Sequence, residues 1–399
     1  MTAPQRATGT AAKVSTGVLL LGLVSFITDV SSEMIMPLLP LFIVALGGSG
    51  VAVGLVSGVG DSVADFLKIF SGYLSDRLGR RKPLVALGYF SSALAKLFFP
   101  LATIWEHVLA LRVVERIGKG VRTAPRDAMI AGYAAMEVRG KAFGVHRAMD
   151  TAGAVLGSVI AFLLLWLLAL DFRRIFLAAA LLAFFALAPL YFVKEVRSGR
   201  RLESGFALSL KSLPADLKAL ILILMIFALG KISYMFFILR AQEVFEAAGL
   251  AERLSTSLPV LLYVLYNSVY AALAEPFGAL SDRIGRANVM LGGFLLFSLT
   301  SLGFVFAGAR TLFILFALYG LVYAMTEGVG RAFVSDLSSE RLRGTALGAY
   351  HTATGFAAIA ANLVAGALWD ALGSKATFAY ATSLPLLAAT LLLLWQKKR

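Results

Sequence analysis

Apolar residues run along this chain in long unbroken stretches, with neither the alternation of a strand nor the two-faced pattern of a soluble helix. A helix that crosses a bilayer needs about 20 mostly apolar residues. Twelve stretches meet that requirement, over about 16–46, 50–73, 83–103, 107–129, 141–168, 173–194, 217–246, 255–280, 288–308, 311–334, 344–370 and 374–395. They are called segments 1 to 12 here. Barrel strands would alternate over about 10 residues, so the pattern predicts an all-α integral membrane protein. The polar start, Met1 to Lys13, leads into an apolar run too long for a secretory signal core, and segment 1 reads as a retained helix.

The longest polar stretch, Glu195 to Leu217, divides the chain near its middle. It predicts a linker over 195–216 between bundles at 1–194 and 217–399. Basic residues fall in alternate loops. Arg77, Arg80, Arg81 and Lys82 follow segment 2, Arg139 and Lys141 follow segment 4, and Arg197, Arg200, Arg201 and Lys211 lie in the linker. Arg283 and Arg286, then Arg341 and Arg343, then Lys397 to Arg399 continue the series. Lys and Arg collect on the cytoplasmic side, so both termini are expected there, in the inner membrane of a prokaryote.

Composition agrees. Of 399 residues, 59% are hydrophobic and 15% charged, against about a quarter charged in soluble domains. Mean hydropathy is +0.83. The net charge of +14 would suggest nucleic-acid binding in a soluble protein; here the basic loops account for it, and no nucleic-acid partner is expected. With no cysteine there are no disulfides, thiolate metal sites or cysteine nucleophiles.

Two phrases recur. Gly72-Tyr-Leu-Ser-Asp76-Arg77-Leu-Gly79-Arg80 after segment 2 returns as Gly278-Ala-Leu-Ser-Asp282-Arg283-Ile-Gly285-Arg286 after segment 8, 206 residues on. Arg139-Gly140-Lys-Ala142-Phe-Gly144 returns as Arg343-Gly344-Thr-Ala346-Leu-Gly348, 204 residues on. Two motifs at nearly one offset predict a duplicated six-helix unit, and so two pseudo-symmetric six-helix bundles. Glycines at these loops permit a tight turn and close helix approach.

These loops resemble the signature of the major facilitator superfamily, and the resemblance covers essentially the whole chain. It implies a monomeric secondary transporter in which Gly72, Asp76, Arg77, Gly79 and Arg80, with Gly278, Asp282, Arg283, Gly285 and Arg286, latch the halves in the outward-facing state. It also implies a role in proton transfer for Arg112, which matches an arginine of superfamily antiporters. Drug antiporters of the superfamily usually carry Gly-x-x-x-Gly-Pro-x-x-Gly-Gly in the fifth helix; this chain has Gly153-Ala154-Val-Leu-Gly157-Ser158, without the proline.

Ionisable groups in a bilayer are costly, by at least about 2.5–3.5 kcal/mol each, and are functional candidates by default. Segment 1 carries Asp29 and Glu33, four apart and so on one helical face, able to exchange a proton. Pro37 and Pro40 follow and predict a kink. Segment 2 carries Asp61, then Asp65 and Lys68, which are expected to pair, and a close-packing stripe of Gly50, Gly54 and Gly58. Segment 4 is the most charged. Arg112, Glu115, Arg116 and Lys119 form a stripe that must face protein or water, with Arg122 and Arg126 nearer the cytoplasm. Segment 5 adds His146, Arg147 and Asp150. The second half is plainer: Lys231, which needs a counter-ion or an anionic cargo, Asn267 between two tyrosines, His351, and Glu327 with Arg331, four apart and expected to pair.

The first half therefore reads as the site of protonation and the second as the cargo side. The expected function is proton-coupled efflux antiport of small organic or drug-like compounds by alternating access, with the proton gradient as energy source and no cofactor. No phosphate-binding loop points to ATP. An anion cargo ringed by Lys119, Arg122, Arg147 and Lys231 is the alternative. A divalent metal at Asp29, Glu33, His146 and Asp150 fits less well. A non-transporting receptor or an intramembrane enzyme is the remote case, and no intramembrane protease signature is present. The sign of charge lining the central cavity decides between cargo classes.

Overall fold

A computed structural model describes residues 15–135, 138–196, 213–339 and 342–398, with the side chains of Asp61 and Ile69 outside that set. The predicted linker lies mostly outside the described residues, as do its Arg197, Arg200, Arg201 and Lys211, and so does Arg341.

Among the described residues twelve helical spans follow one another: α1 (Thr16–Ala45), α2 (Gly50–Leu78), α3 (Lys82–Leu101), α4 (Trp105–Tyr133), α5 (Arg139–Trp166) and α6 (Phe172–Phe192), then α7 (Ala215–Ala247), α8 (Glu252–Ile284), α9 (Arg286–Val305), α10 (Thr311–Asp336), α11 (Arg343–Leu372) and α12 (Ser374–Lys397). Eleven are long and apolar enough to cross a membrane on their own sequence. The exception is α4, whose charged stripe turns inward: Arg112, Glu115 and Arg122 are buried where α4 packs on α2 and α3.

The sequence repeat becomes a packing repeat. α1 packs on α5 as α7 packs on α11; α2 and α3 flank α4 as α8 and α9 flank α10; α3 meets α6 as α9 meets α12. The seam between the halves obeys the same symmetry, with α2 against α11 and α5 against α8.

Two spans are broken where the chain needs backbone freedom. α1 is interrupted at Met36–Leu38, around Pro37, with Pro40 opening the second piece. This is the kink the prolines predict, because a proline cannot donate its backbone bond. α7 stops at Gly230 and restarts at Tyr234. No proline marks that break, and the apolar run across it reads as continuous.

The halves meet tightly at the end of the bundle away from the chain termini, called the far end below. There Asp370 of α11 caps the N-terminus of α2, accepting from Gly50 N at 2.6 Å and Val51 N at 3.0 Å. The Gly50, Gly54, Gly58 stripe serves the predicted close approach. A Cβ on Gly54 would collide with the Asn362 carbonyl, and one on Gly58 would lie 3.0 Å from Ile359 Cα. Arg253 of α8 donates to the carbonyls of Trp166 and, at 3.2 Å, Leu167 at the end of α5. Towards the middle, Ser62 donates to the Gly355 carbonyl at 2.7 Å, and Phe66 meets Phe356 edge-on at 5.1 Å between centroids. At the near end, by contrast, a Cβ added to Gly140, Gly144, Gly278 or Gly344 would meet open space. The bundle is closed at the far end and splayed at the end that carries the termini.

Candidate functional site

The two signature loops lie at the splayed end, and each is engaged within its own half. Gly79 caps α2 with φ of 65°, the left-handed conformation that a glycine adopts without strain. Asp76 pairs with Arg81 at 3.2 Å, and Arg81 also donates to the Ala128 carbonyl of α4 at 3.1 Å. In the second half Asp282 pairs with Arg286 at 2.6 Å, and Arg286 reaches Asp336 of α10 at 2.9 Å. The repeat aligns Arg80 with Arg286, yet Arg81 makes the contacts in the first half. The partner is one residue further on, a slip that a motif match does not show.

A polar cluster fills the core of the first half. Arg112 and Glu115, one turn apart, form a buried ion pair. Arg122 donates to Ser92 Oγ at 2.7 Å and lies over the Tyr89 ring at 4.4 Å. Arg126 pairs with Asp127 at 3.0 Å and donates to Ser25 Oγ at 3.0 Å, so α1 and its own neighbour hold it. Around Asp29 stand Asp150, Lys119, Arg122 and Arg126. Among the described residues no ion pair reaches Asp29. His146 Nδ1 and Asp150 Oδ2 stand 3.6 Å apart, close enough for charge attraction but too far for a hydrogen bond. No group of three or more His, Asp or Glu positioned to hold a metal occurs among the described residues.

Lys96 of α3 is a member that sequence reading misses. It is 1% exposed, and its ammonium donates to Ser32 Oγ at 2.8 Å, Ser31 Oγ at 3.0 Å and the Thr28 carbonyl at 3.4 Å. All three acceptors lie on the α1 turn that carries Asp29 and Glu33. Its signal was a lone lysine inside an apolar run, the same signal that marks Lys231.

Glu33 lies at the seam. Its Oε2 accepts 2.8 Å from the Tyr263 hydroxyl of α8, in the opposite half. Tyr234 on the restarted piece of α7 packs at a tilt against Tyr263, with centroids 5.1 Å apart, and its hydroxyl lies 3.5 Å from the Met36 carbonyl at the break in α1. The two broken helices thus face each other across the seam. Arg147 is exposed and, among the described residues, reaches only the Tyr270 hydroxyl, at 3.5 Å. Asn267 lies on α8, and its amide nitrogen has no hydrogen-bond partner among the described residues.

A cavity of about 240 Å³ opens between α2 and the second half, lined by α2, α7, α9, α10 and α11. Its charged side chains are Asp65, Lys68, Lys231, Glu327 and Arg331, with His351 beside them. Asp65 and Lys68 pair at 2.6 Å as expected. The expected Glu327–Arg331 pair is corrected: the Glu327 carboxylate holds Lys231 at 2.9 Å, and Arg331 Nε donates instead to the Glu327 carbonyl at 3.2 Å. Lys231 reaches Glu327 because the α7 break directs it towards α10, where it also lies 4.0 Å from the Tyr323 ring centre. The proposed ring of Lys119, Arg122, Arg147 and Lys231 does not form. Arg122 is engaged inside the first half and Arg147 is exposed, while Lys231 alone of the four lines the cavity. The backbone of Asp61 lies in α2, and its side chain lies outside the described residues.

Two pseudo-symmetric helical bundles, buried charges at their cores and a polar cavity at their seam define a multi-pass membrane transporter, not an enzyme. A family model described as Major Facilitator Superfamily matches residues 21–254 and 220–399, and the chain belongs to that superfamily. It is 44% identical over 382 residues to the uncharacterized MFS-type transporter MJ1317 of Methanocaldococcus jannaschii, covering 96% of this chain and 95% of that one. It is 24% identical over 325 residues to the multidrug resistance protein MdtH of Sodalis glossinidius, covering 79% and 76%. Among solved structures, a variant of the nucleoside transporter NupG matches with a TM-score of 0.84 at 15% identity, over 95% of this chain and all of that one. The chain therefore moves a small molecule across a lipid bilayer.

Proposed function

We propose that the chain is a proton-coupled secondary transporter that works by alternating access as a monomer, exporting small organic compounds in exchange for protons. The observation that carries this reading is the bond from Tyr263 to Glu33 across the seam. Protonation of Glu33 turns a charge-assisted bond into a neutral one, roughly halving its strength. Proton occupancy thereby alters a contact that joins the two halves in the far-end-closed conformation. Asp29, one turn away on the same face, offers a second carboxylate among the cations of α4. With the termini cytoplasmic, as the basic loops indicate, the splayed end faces the cytoplasm and the conformation is inward-facing. The multidrug resistance relatives support the export direction. The proton gradient supplies the energy, and the membrane is the inner membrane of a prokaryote.

The test uses everted membrane vesicles with an acidic interior. Panels of lipophilic cations, organic anions and divalent metals are added, with wild type beside Asp29→Asn and Glu33→Gln. Collapse of the pH gradient by one panel, in wild type only, is the expected result. Uptake of labelled solute into right-side-out vesicles, with no gradient collapse by any panel, would overturn antiport in favour of symport or uniport.

A further inference from the structure

The cavity beside α7 holds three cations and two carboxylates: Lys68, Lys231 and Arg331 against Asp65 and Glu327. Asp65 is committed to Lys68, one turn away on the same helix. Glu327 has two cations within reach. Its carboxylate holds Lys231, while Arg331 lies one turn along α10, bonded to the Glu327 carbonyl. That four-residue spacing is the one at which Glu and Arg pair along a helix. One carboxylate cannot neutralise both, so the described residues of the cavity carry one positive charge in excess.

We propose that this cavity binds the carboxylate of a small organic monoanion, with Lys231 as its counter-ion, and that Glu327 swings from Lys231 to Arg331 when the anion enters. The proposal rests on the transporter reading above and names its cargo class. The exchange loses no ion pair: a Lys231–Glu327 pair becomes a Lys231–cargo pair and a Glu327–Arg331 pair. One surplus positive charge matches a monoanion. A dianion such as a phosphate monoester would leave one negative charge unmatched by these groups. The space suits a small solute, because a cavity of about 240 Å³ lies just below the range of about 300–1,000 Å³ usual for small-molecule sites. Phe227, Tyr323 and Tyr350 supply aromatic walls. Lys231 is already placed for the task, at the end of a helix piece with its side chain 19% exposed. Export of an anion against entering protons carries positive charge inward in both movements, so an inside-negative potential drives it as well.

The test is calorimetric binding to the purified full chain in lipid nanodiscs, with no gradient imposed. The probes are benzoate, the neutral benzamide, the cationic benzylammonium and inorganic phosphate. Benzoate is expected to bind at least about tenfold more tightly than the other three. Glu327→Gln frees Lys231 and is expected to tighten benzoate by about tenfold. Arg331→Met weakens benzoate in the wild-type background but has little effect in the Glu327→Gln background, because there is no carboxylate left to swing. The charge-balanced Lys231→Met/Glu327→Gln variant, checked for folding by its melting curve, loses benzoate. Equal binding of benzamide or benzylammonium, retention of benzoate by that double variant, or no binding to either wild type or Glu327→Gln overturns the site. An equal Arg331→Met effect in both backgrounds overturns the swing. Binding is read without transport, so failure here leaves the vesicle result standing, and failure in vesicles leaves this result standing.

Discussion

The Tyr263 hydroxyl donates a 2.8 Å hydrogen bond to Glu33 Oε2, joining α8 of one half to α1 of the other. Both are neighbours of the helix breaks, Glu33 three residues before Met36 and Tyr263 with its ring packed at a tilt against Tyr234. The bond therefore ties together the two places where the helical backbone is already interrupted. A hydrogen bond to a charged group contributes about 1.5–3 kcal/mol. Tyr263→Phe is expected to shift the population away from far-end closure by a corresponding factor, on the order of tenfold. The chain has no cysteine, so spin labels at Val44→Cys and Leu372→Cys, both exposed at the far end, report the change. A distance distribution unchanged by Tyr263→Phe would remove this contact from the conformational balance.

Closure also depends on backbone approach. Gly54 packs so closely on the Asn362 carbonyl that any side chain must separate α2 from α11. Gly54→Val is expected to broaden and lengthen the same label distance and to abolish transport, while the helical content measured by circular dichroism stays unchanged. A variant that still transports would show that the close approach is not needed in the cycle.

Asp370 satisfies two of the backbone N–H groups that the start of α2 leaves unbonded. Losing a cap of this kind costs about 0.5–2 kcal/mol. The cost falls on the closed far end, because Asp370 and Gly50 belong to different halves. Asp370→Ala is expected to raise accessibility of a label at Leu372→Cys to a polar quencher by several-fold. An Asp370→Asn variant, which keeps an acceptor, is expected to lose less. Equal accessibility in all three proteins would contradict the assignment.

Lys96 carries a buried charge held by hydroxyls and a carbonyl, with no carboxylate at ion-pair distance among the described residues. Burying an ion costs several kcal/mol even after relaxation, and an apolar replacement of similar volume is often neutral or stabilising. Lys96→Met is therefore expected to melt at or above the wild-type temperature. Lys96→Ala, which leaves a cavity, is expected to melt lower by about 2–5 kcal/mol of stability. A large loss of stability in Lys96→Met would mean that the three oxygens need the ammonium more than the interior resists it.

The pairings were the less legible part. Asp65 and Lys68 could be paired from sequence because both lie on one helix, three residues apart. Glu327 and Arg331 have an equally good local spacing, and the Glu327 side chain nonetheless goes to Lys231, 96 residues away. Local spacing states which partner is in reach along a helix; it says nothing of a competitor delivered by a neighbouring one. The α7 break that delivers Lys231 has no proline to announce it. Arg81 replaces Arg80 in the first signature loop for a related reason. A turn fixes which arginine points at α4, and a repeat of letters does not.

The sequence by itself determined the membrane, the helix count, the duplication and the superfamily, because a bilayer forces every crossing to be an apolar helix about 20 residues long and a repeat survives as repeated letters. It also located the buried charges, since each one interrupts an apolar run. Only the tertiary structure decided which charges share a space. Asp29 and Glu33 lie near α4 and Tyr263, Lys96 grips the turn beneath them, and Lys231, Glu327 and Arg331 converge on one cavity. These groupings depend on how helices far apart in the chain pack and where two of them break, and packing across a seam leaves no periodicity in a sequence to be read.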